Sequence, residues 1–350
     1  MSTKPISTKP THTDPHPVPP GAGSADQVMR AILQRRYGSA DVLHMEHVDR
    51  PQIGQNEVLL QVHAAGVDRG TWHLMTGKPY LLRLAFGVSR PKNSVPGLDV
   101  AGTVTAVGPA VTRFEVGDEV YGFCKGSFAE YAAAPEDKLA AKPTNLSFAE
   151  AAVVPICAAT ALQALVDIGG VQPGHRVLVI GASGGVGTFA VQLAKAFGAE
   201  VTGVASTSKL ELVRSLGADH VIDYTTADFA DDVHRYDLVL DVGGTPRLSR
   251  LRRALTATGT AVLVGGEEGG SWTGGMGRTL RARGVSMFVR QRLTNFIAKQ
   301  RSSDLDRLRG LIEAGEVRPF VDVSYPLERA PVAMQHLEEG RVRGKVAILI

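Results

Sequence analysis

Apolar positions along this 350-residue chain change their spacing twice. From Met29 to about Pro155 they form short runs broken by tight turns. Glu57-Val58-Leu59-Leu60-Gln61-Val62-His63 alternates, Val100 to Val107 runs into Gly108, and Val116-Gly117-Asp118-Glu119-Val120-Tyr121 holds a Gly-Asp turn ahead of a strand. Such runs predict an all-β unit with short helices. Ser147 to Leu165 reads as helix interrupted at Pro155, with Ser147 and Glu150 spaced for a capping box.

From Gln172 apolar runs alternate with helical stretches. Strands are expected at 176–181, 200–205, 220–223, 237–242, 260–264 and 285–289. Helices are expected at 187–198, 207–216, 246–257 and 274–283. This alternation specifies a parallel, doubly wound sheet. A helix from Ser303 to Ala314, a strand near Val317 to Val323, a helix from Leu327 to Glu339 and a strand from Lys345 to Ile350 complete the pattern.

Before Met29 there is no period at all. Residues 1–28 hold six prolines among Thr, Ser and His and almost no large apolar residue, so they are expected to be a disordered leader. The leader lacks an apolar secretory core, and the first arginine is Arg30, against a mitochondrial presequence. The whole chain has the composition of a soluble globular protein of two domains, 44% apolar and 21% charged. A net charge of +3 is too small to argue for nucleic acid or membrane binding. Cys124 and Cys157 cannot build a disulfide framework and fit a reducing compartment, so a cytoplasmic location is expected. No apolar run approaches a membrane span.

The chemistry begins at Gly181-Ala182-Ser183-Gly184-Gly185-Val186-Gly187, between the apolar run Val177 to Ile180 and a helical stretch. Strand, glycine turn and helix in that order bring backbone N–H groups and a helix N-terminus to one point, a pocket for a pyrophosphate. Against G-x-G-x-x-G, the first turn position is Ala182, while Gly184 and Gly187 hold the other two. An NAD site usually places an acid at the tip of the next strand, for the ribose 2′-OH. Here that strand, Glu200 to Ala205, ends in Ser206-Thr207-Ser208-Lys209. A hydroxyl and a cation without an acid suit a 2′-phosphate, so the expected cofactor is NADP.

With these residues in view, the chain from Met29 to Ile350 resembles the medium-chain dehydrogenase/reductase superfamily, and within it the zinc-independent quinone oxidoreductase (zeta-crystallin-like) branch. The resemblance rests on Gln172 to Ile180 running into the glycine turn, Leu216-Gly217-Ala218-Asp219, Val221-Ile222-Asp223-Tyr224, Pro96 to Gly102 and Gly344-Lys345-Val346. It implies a GroES-like β domain (29–155, completed by 319–350) with a Rossmann NADP-binding domain (156–318) inserted, and an active site in the cleft. It further implies that Thr160 lies near the nicotinamide, and that Tyr224 stacks by the adenine or touches the 2′-phosphate. Gly265 and the backbone of Phe288 and Val289 would face the carboxamide. Arg343 would be a second phosphate cation. For Tyr224 and Phe288, core packing is the alternative.

Zinc enzymes of this superfamily need a Cys, a His-Glu pair and a second Cys. Leu98-Asp99 stands where the pair belongs, and two cysteines cannot supply a thiolate site, so no metal is expected. Without a Lewis acid, the alkoxide from a plain ketone is poorly stabilised, whereas an enone or quinone delocalises the charge. The expected reaction is therefore NADPH-dependent reduction of an activated C=C or a quinone. Relatives commonly carry Asn-Pro-x-Asp after the strand ending at Val67; this chain has Asp68-Arg69-Gly70-Thr71. An ionised Asp68 cannot donate a hydrogen bond. Either Thr71, Trp72 or Tyr80 supplies a donor, or Asp68 only orders its loop. Gly77 to Pro91 reads as an apolar substrate wall or as a helix buried against the β domain.

The basic stretch Arg278 to Arg292 reads as the solvated face of a helix and strand rather than a nucleic-acid site. In relatives that strand pairs across a two-fold axis, which makes a homodimer the expectation. Two other functions stay open: an acyl-thioester enoyl reductase of the same fold, and an NADPH-binding regulatory or RNA-binding protein.

Overall fold

The computed structural model describes residues 27–265 and 270–350. All of the expected leader except Gln27 and Val28 lies outside the described residues, and Val28 already pairs in the first strand. β1 (Val28–Gln34) and β2 (Leu43–Asp49) form an antiparallel pair. β3 (Glu57–Val67) starts half-buried in alternation and ends fully buried, where it runs into the junction between the two large sheets. Helices α1 (Arg69–Thr76) and α2 (Arg83–Phe86) follow it. Then come β4 (Asp99–Val107), β5 (Glu119–Phe123), β6 (Tyr131–Pro135) and β7 (Leu139–Ala141).

Helix α3 (Phe148–Ala152) carries the capping box read from the sequence, Ser147 with Glu150. Proline breaks the stretch as expected, since it cannot donate within a helix, and α4 (Pro155–Gln163) restarts at that proline. Next are β8 (Arg176–Ile180), α5 (Gly185–Ala196), β9 (Glu200–Ala205), α6 (Leu210–Ser215), β10 (His220–Asp223), β11 (Tyr236–Asp241), α7 (Leu248–Ala254) and β12 (Leu255–Leu263). After them come α8 (Gly270–Thr273), α9 (Met276–Ser286), β13 (Arg292–Asn295), α10 (Ser302–Glu313), β14 (Val321–Pro326), α11 (Ala330–Glu338) and β15 (Lys345–Leu349).

Two large sheets result. One is parallel, in the order β10-β9-β8-β11-β12-β13, so the order reverses between β8 and β11. The other runs β14-β15-β3-β4-β5-β7, with β6 also on β3, so the last strand of the chain pairs antiparallel with β3. One apolar cluster crosses from Ala64, Ala101 and Phe123 through α4 to Phe189 and Leu193 on α5. The sheets thus share a core, which fixes the cleft between them.

The strand expected at 285–289 is not there. α9 continues to Ser286, a turn follows, and the edge strand is Arg292–Asn295. Ser286 holds the two together, its hydroxyl donating to Leu293 O and accepting from Leu293 N. A short edge strand needs only one buried side chain, here Leu293, so its apolar signal is weaker than that of the Met287-Phe288-Val289 turn, where Met287 and Phe288 are exposed.

Candidate functional site

A ligand in a doubly wound sheet sits where the strand order reverses, at the carboxyl ends of the strands. A cavity of about 520 Å³ opens there, walled by the turn after β8, the ends of β11 and β12, the loop after β3, and the start of β15. Gly181 ends β8 with φ +84°, a left-handed conformation suited to glycine, and starts the turn. Gly184 caps α5, and its missing Cβ would point into open space, with no atom nearer than Gly181 O at 3.4 Å. At Gly187 a Cβ would lie 2.1 Å from Gly181 O, so the turn and α5 can close on each other only without a side chain. Bare N–H groups at the head of a helix, with empty space in front, suit the pyrophosphate of a dinucleotide.

Ser183, Gly184, Gly185, Val186, Thr160 and Gly265 line the cavity, as does Lys209. Thr160 turns its hydroxyl back to Ile156 O at 2.6 Å. Lys209 donates to Val342 O at 2.8 Å and Gly340 O at 3.3 Å, which places its ammonium between the tip of β9 and the C-terminal segment. Burial lowers its pKa, Asp322 opposes that, and the nearby Arg343 guanidinium adds to it. Ser206 stands at the same strand tip without lining the cavity. Asp223, at the end of neighbouring β10, has its carboxylate engaged by the hydroxyls of Thr207 and Thr225 and by Thr225 N.

Other expected residues stand elsewhere. Tyr224 is 62% exposed and Phe288 86% exposed, so neither is a core residue, and neither reaches the cavity. Val289 lies in the same turn as Phe288, outside the strand that was to carry it, because the helix before it runs longer than its apolar period suggests. Arg343 is exposed beside the cavity rather than on its wall. Tyr80 packs edge-on against Trp272 and under the Arg83 guanidinium, also off the cavity wall. Leu81, Leu84 and Phe86 are exposed, so Gly77 to Pro91 is neither the cavity wall nor a buried helix.

The loop after β3 resolves the choice posed by Asp68. Buried Asp68 caps α1, its carboxylate accepting from Thr71 N at 2.8 Å and from the Thr71 hydroxyl at 3.1 Å. The Thr71 proton is thereby spent on the cap. Four cavity residues were given no site role by the sequence reading: His73, Cys157, Asp241 and Lys345. His73 sits on α1 with Nδ1 2.7 Å from Lys78 O; a carbonyl only accepts, so Nδ1 carries hydrogen and Nε2 is left for other partners. Burial pushes the Cys157 thiol up to about 11. Asp241, 1% exposed at the end of β11, pairs with Arg278 at 2.6 Å, yet burial still raises its carboxyl to about 6. Arg278 therefore turns inward, unlike the solvated face expected for that stretch. Arg278 lies on α9 and its partner is a carboxylate at the end of β11, which the local charge pattern cannot reveal.

Among the described residues no three His, Cys, Asp or Glu side chains are grouped to hold a metal ion. Among the same residues no helix is long and apolar enough to cross a membrane.

Comparison with known proteins agrees with this architecture. Residues 54–144 match the family described as alcohol dehydrogenase GroES-like domain, residues 151–244 the alanine dehydrogenase/PNT C-terminal domain, and residues 216–348 the zinc-binding dehydrogenase family. The chain is 36% identical over 335 residues to a 2-methylene-furan-3-one reductase of Solanum lycopersicum, covering 91% of this chain and 79% of that protein. It is also 36% identical to a chloroplastic NADPH-dependent alkenal/one oxidoreductase of Arabidopsis thaliana, covering 93% of this chain and 80% of that one. The solved quinone oxidoreductase from Coxiella burnetii superimposes with a TM-score of 0.81 at 29% identity, over 92% of this chain and 99% of that one. The chain belongs to the medium-chain dehydrogenase/reductase superfamily, among its quinone and alkenal oxidoreductases.

Proposed function

We propose that this protein is an NADPH-dependent, zinc-independent reductase of quinones or α,β-unsaturated carbonyls. The carrying observation is the glycine turn opening onto a cavity that both sheets line. When bound, the nicotinamide supplies the hydride. The chain's own residues hold the cofactor, shape the cleft and deliver a proton. N–H groups at Gly184 to Gly187 would meet the pyrophosphate, with Thr160 and Gly265 beside the ring. Lys209 and Arg343 would flank the 2′-phosphate. Burial and the Arg343 guanidinium both lower the Lys209 pKa, and an anion between the two cations would relieve their repulsion, which favours NADPH over NADH. Asp223, the nearby acid, already accepts from two threonine hydroxyls and from Thr225 N, which weakens its claim on a ribose hydroxyl.

On the substrate side the metal question is one of donors. Asp99, where zinc enzymes carry the Glu of a His-Glu pair, is buried and accepts from Ile156 N, and Leu98 has no donor atom. A conjugated acceptor, which spreads its charge, matches a site without a Lewis acid. His73 is placed to move the proton: its Nδ1 is fixed by Lys78 O, so protonated Nε2 can donate into the cleft. Asp68 and Thr71 order the loop that presents it. A homodimer across the β13 edge belongs to the same reading.

Purified protein should oxidise NADPH with members of a quinone and enone panel, and NADH far more slowly. No turnover with any acceptor would refute the activity; equal rates with NADH would refute the cofactor.

A further inference from the structure

Two of the most deeply buried ionisable groups have no role toward cofactor or substrate in that reading. Lys345 opens β15 and is 2% exposed. Its ammonium donates to Val67 O, the last residue of β3, at 3.1 Å, and to Cys157 Sγ on α4 at 3.2 Å. Asp99 opens β4 and is fully buried. One carboxyl oxygen accepts from Ile156 N at 3.0 Å; the other has no hydrogen-bond partner and stands 3.9 Å from Lys345 Nζ.

These contacts join parts of the molecule that nothing local connects. Ile156 is the second residue of α4, and Val154 at the N-cap offers no side-chain acceptor, so a carboxyl from the other sheet caps this helix. The Lys345 stem lies under the glycine turn: a Cβ on Gly185 would be 3.1 Å from Lys345 Cδ and 3.1 Å from Cys157 Sγ. Gly344 N adds a hydrogen bond to Ser183 O at 2.8 Å. Burial works against both charges: it raises the Asp99 carboxyl well above the ordinary range, with Asp68 adding to the rise and Lys345 opposing it, while Cys157, Asp99 and Asp68 hold the Lys345 ammonium above the ordinary lysine value. Stability alone is a weak account of such a pair, because well-packed apolar residues often serve as well.

We propose that Lys345 and Asp99 are positioning residues, a clasp that sets α4 and its Thr160 against the Asp68–His73 loop across the cleft. The clasp rests on the reductase reading for its catalytic consequence, but not for its structural one. The cofactor's phosphate contacts all lie on the parallel-sheet side and its C-terminal flank, so loosening the clasp separates cofactor from proton donor without releasing the cofactor. Misplacement of reacting groups by about 1 Å can cost roughly a hundredfold in rate.

The test uses full-length Lys345→Met, Asp99→Ala and Asp99→Asn, with kcat normalised to NADPH-binding sites so that misfolded protein does not count. Lys345→Met and Asp99→Ala should lose roughly tenfold or more in kcat. Their NADPH Kd should move less than about threefold, because the phosphate contacts remain. Asp99→Asn, which keeps an acceptor for Ile156 N, should recover most of the Asp99→Ala loss. Amide exchange across residues 153–160, measured with NADPH bound, should quicken in Lys345→Met and Asp99→Ala but not in Asp99→Asn. Wild-type kcat per site in the first two variants, or equal exchange in all, would overturn the clasp. If either variant fails to fold, the remaining two and their exchange decide. Wild-type protein that binds NADPH yet reduces nothing would refute the reductase reading instead, and the exchange arm would still judge the clasp.

Discussion

Replacing Gly187 by alanine would set a methyl carbon 2.1 Å from Gly181 O and 2.8 Å from two backbone atoms of Ala182. None of these is the end of a flexible side chain, so either α5 or the turn must move by about an ångström. Overpacking of this kind costs about 3 kcal/mol at the upper end of its range. Alanine would return about 1 kcal/mol through its better helix propensity. A net loss near 2 kcal/mol should lower the Tm by a few degrees in a chain of this size. The same movement takes N–H groups off the pyrophosphate, so NADPH affinity should fall as well. Gly184→Ala is the paired control: its Cβ meets only Gly181 O, at 3.4 Å, and its φ of −85° suits any residue. The protein should tolerate that methyl with only the small loss of Tm that a poorer N-cap brings, while a ligand in front of it should not tolerate it. Nicotinamide fluorescence titration and thermal melts on both variants separate the two effects. Gly184→Ala protein that binds NADPH as tightly as wild type would refute the assignment of this turn to the pyrophosphate.

Lys209→Ala and Arg343→Ala should each lower the NADPH to NADH ratio of kcat/KM, by roughly tenfold for a lost charged contact (~1.5 kcal/mol); an unchanged ratio in both would count against the 2′-phosphate site. His73→Ala should depress kcat by roughly a hundredfold with NADPH affinity unchanged, and a wild-type kcat would dismiss His73 as the proton donor. Asp68→Ala should destabilise by about 1–3 kcal/mol in urea unfolding, since it uncaps α1 and strands the buried Thr71 hydroxyl; a loss of only a few tenths would show that the cap is idle. Native Asp241 keeps its proton to about pH 6 against an ordinary 3.8, so between these values the folded state holds the extra proton and this group's contribution to stability falls as pH rises. Asp241→Asn should flatten that part of the curve, and a slope matching wild type would refute the shift.

What could be read from the chain alone were features whose cause is local. The glycine turn needs only residues that permit it, and β9 fell where its apolar run lay because a strand buried on both faces has no other composition. The Ser147–Glu150 capping box and the break at Pro155 are equally local. The edge strand escaped because one buried leucine carries too little pattern. Asp68 was legible as a choice between a catalytic residue and one that orders its loop, and only the folded loop, with Thr71 turned toward it, showed that it caps α1. Asp99, Cys157, Asp241, Arg278 and Lys345 were beyond reach for a different reason. Their partners are tens to hundreds of residues away in the chain, 246 between Asp99 and Lys345 by number, and a buried charge takes its meaning from whichever partner packing brings to it. Local sequence thus determined a dinucleotide turn within an alternating α/β frame; the packing of two sheets into one core decided which side chains face the cleft and in what state of charge.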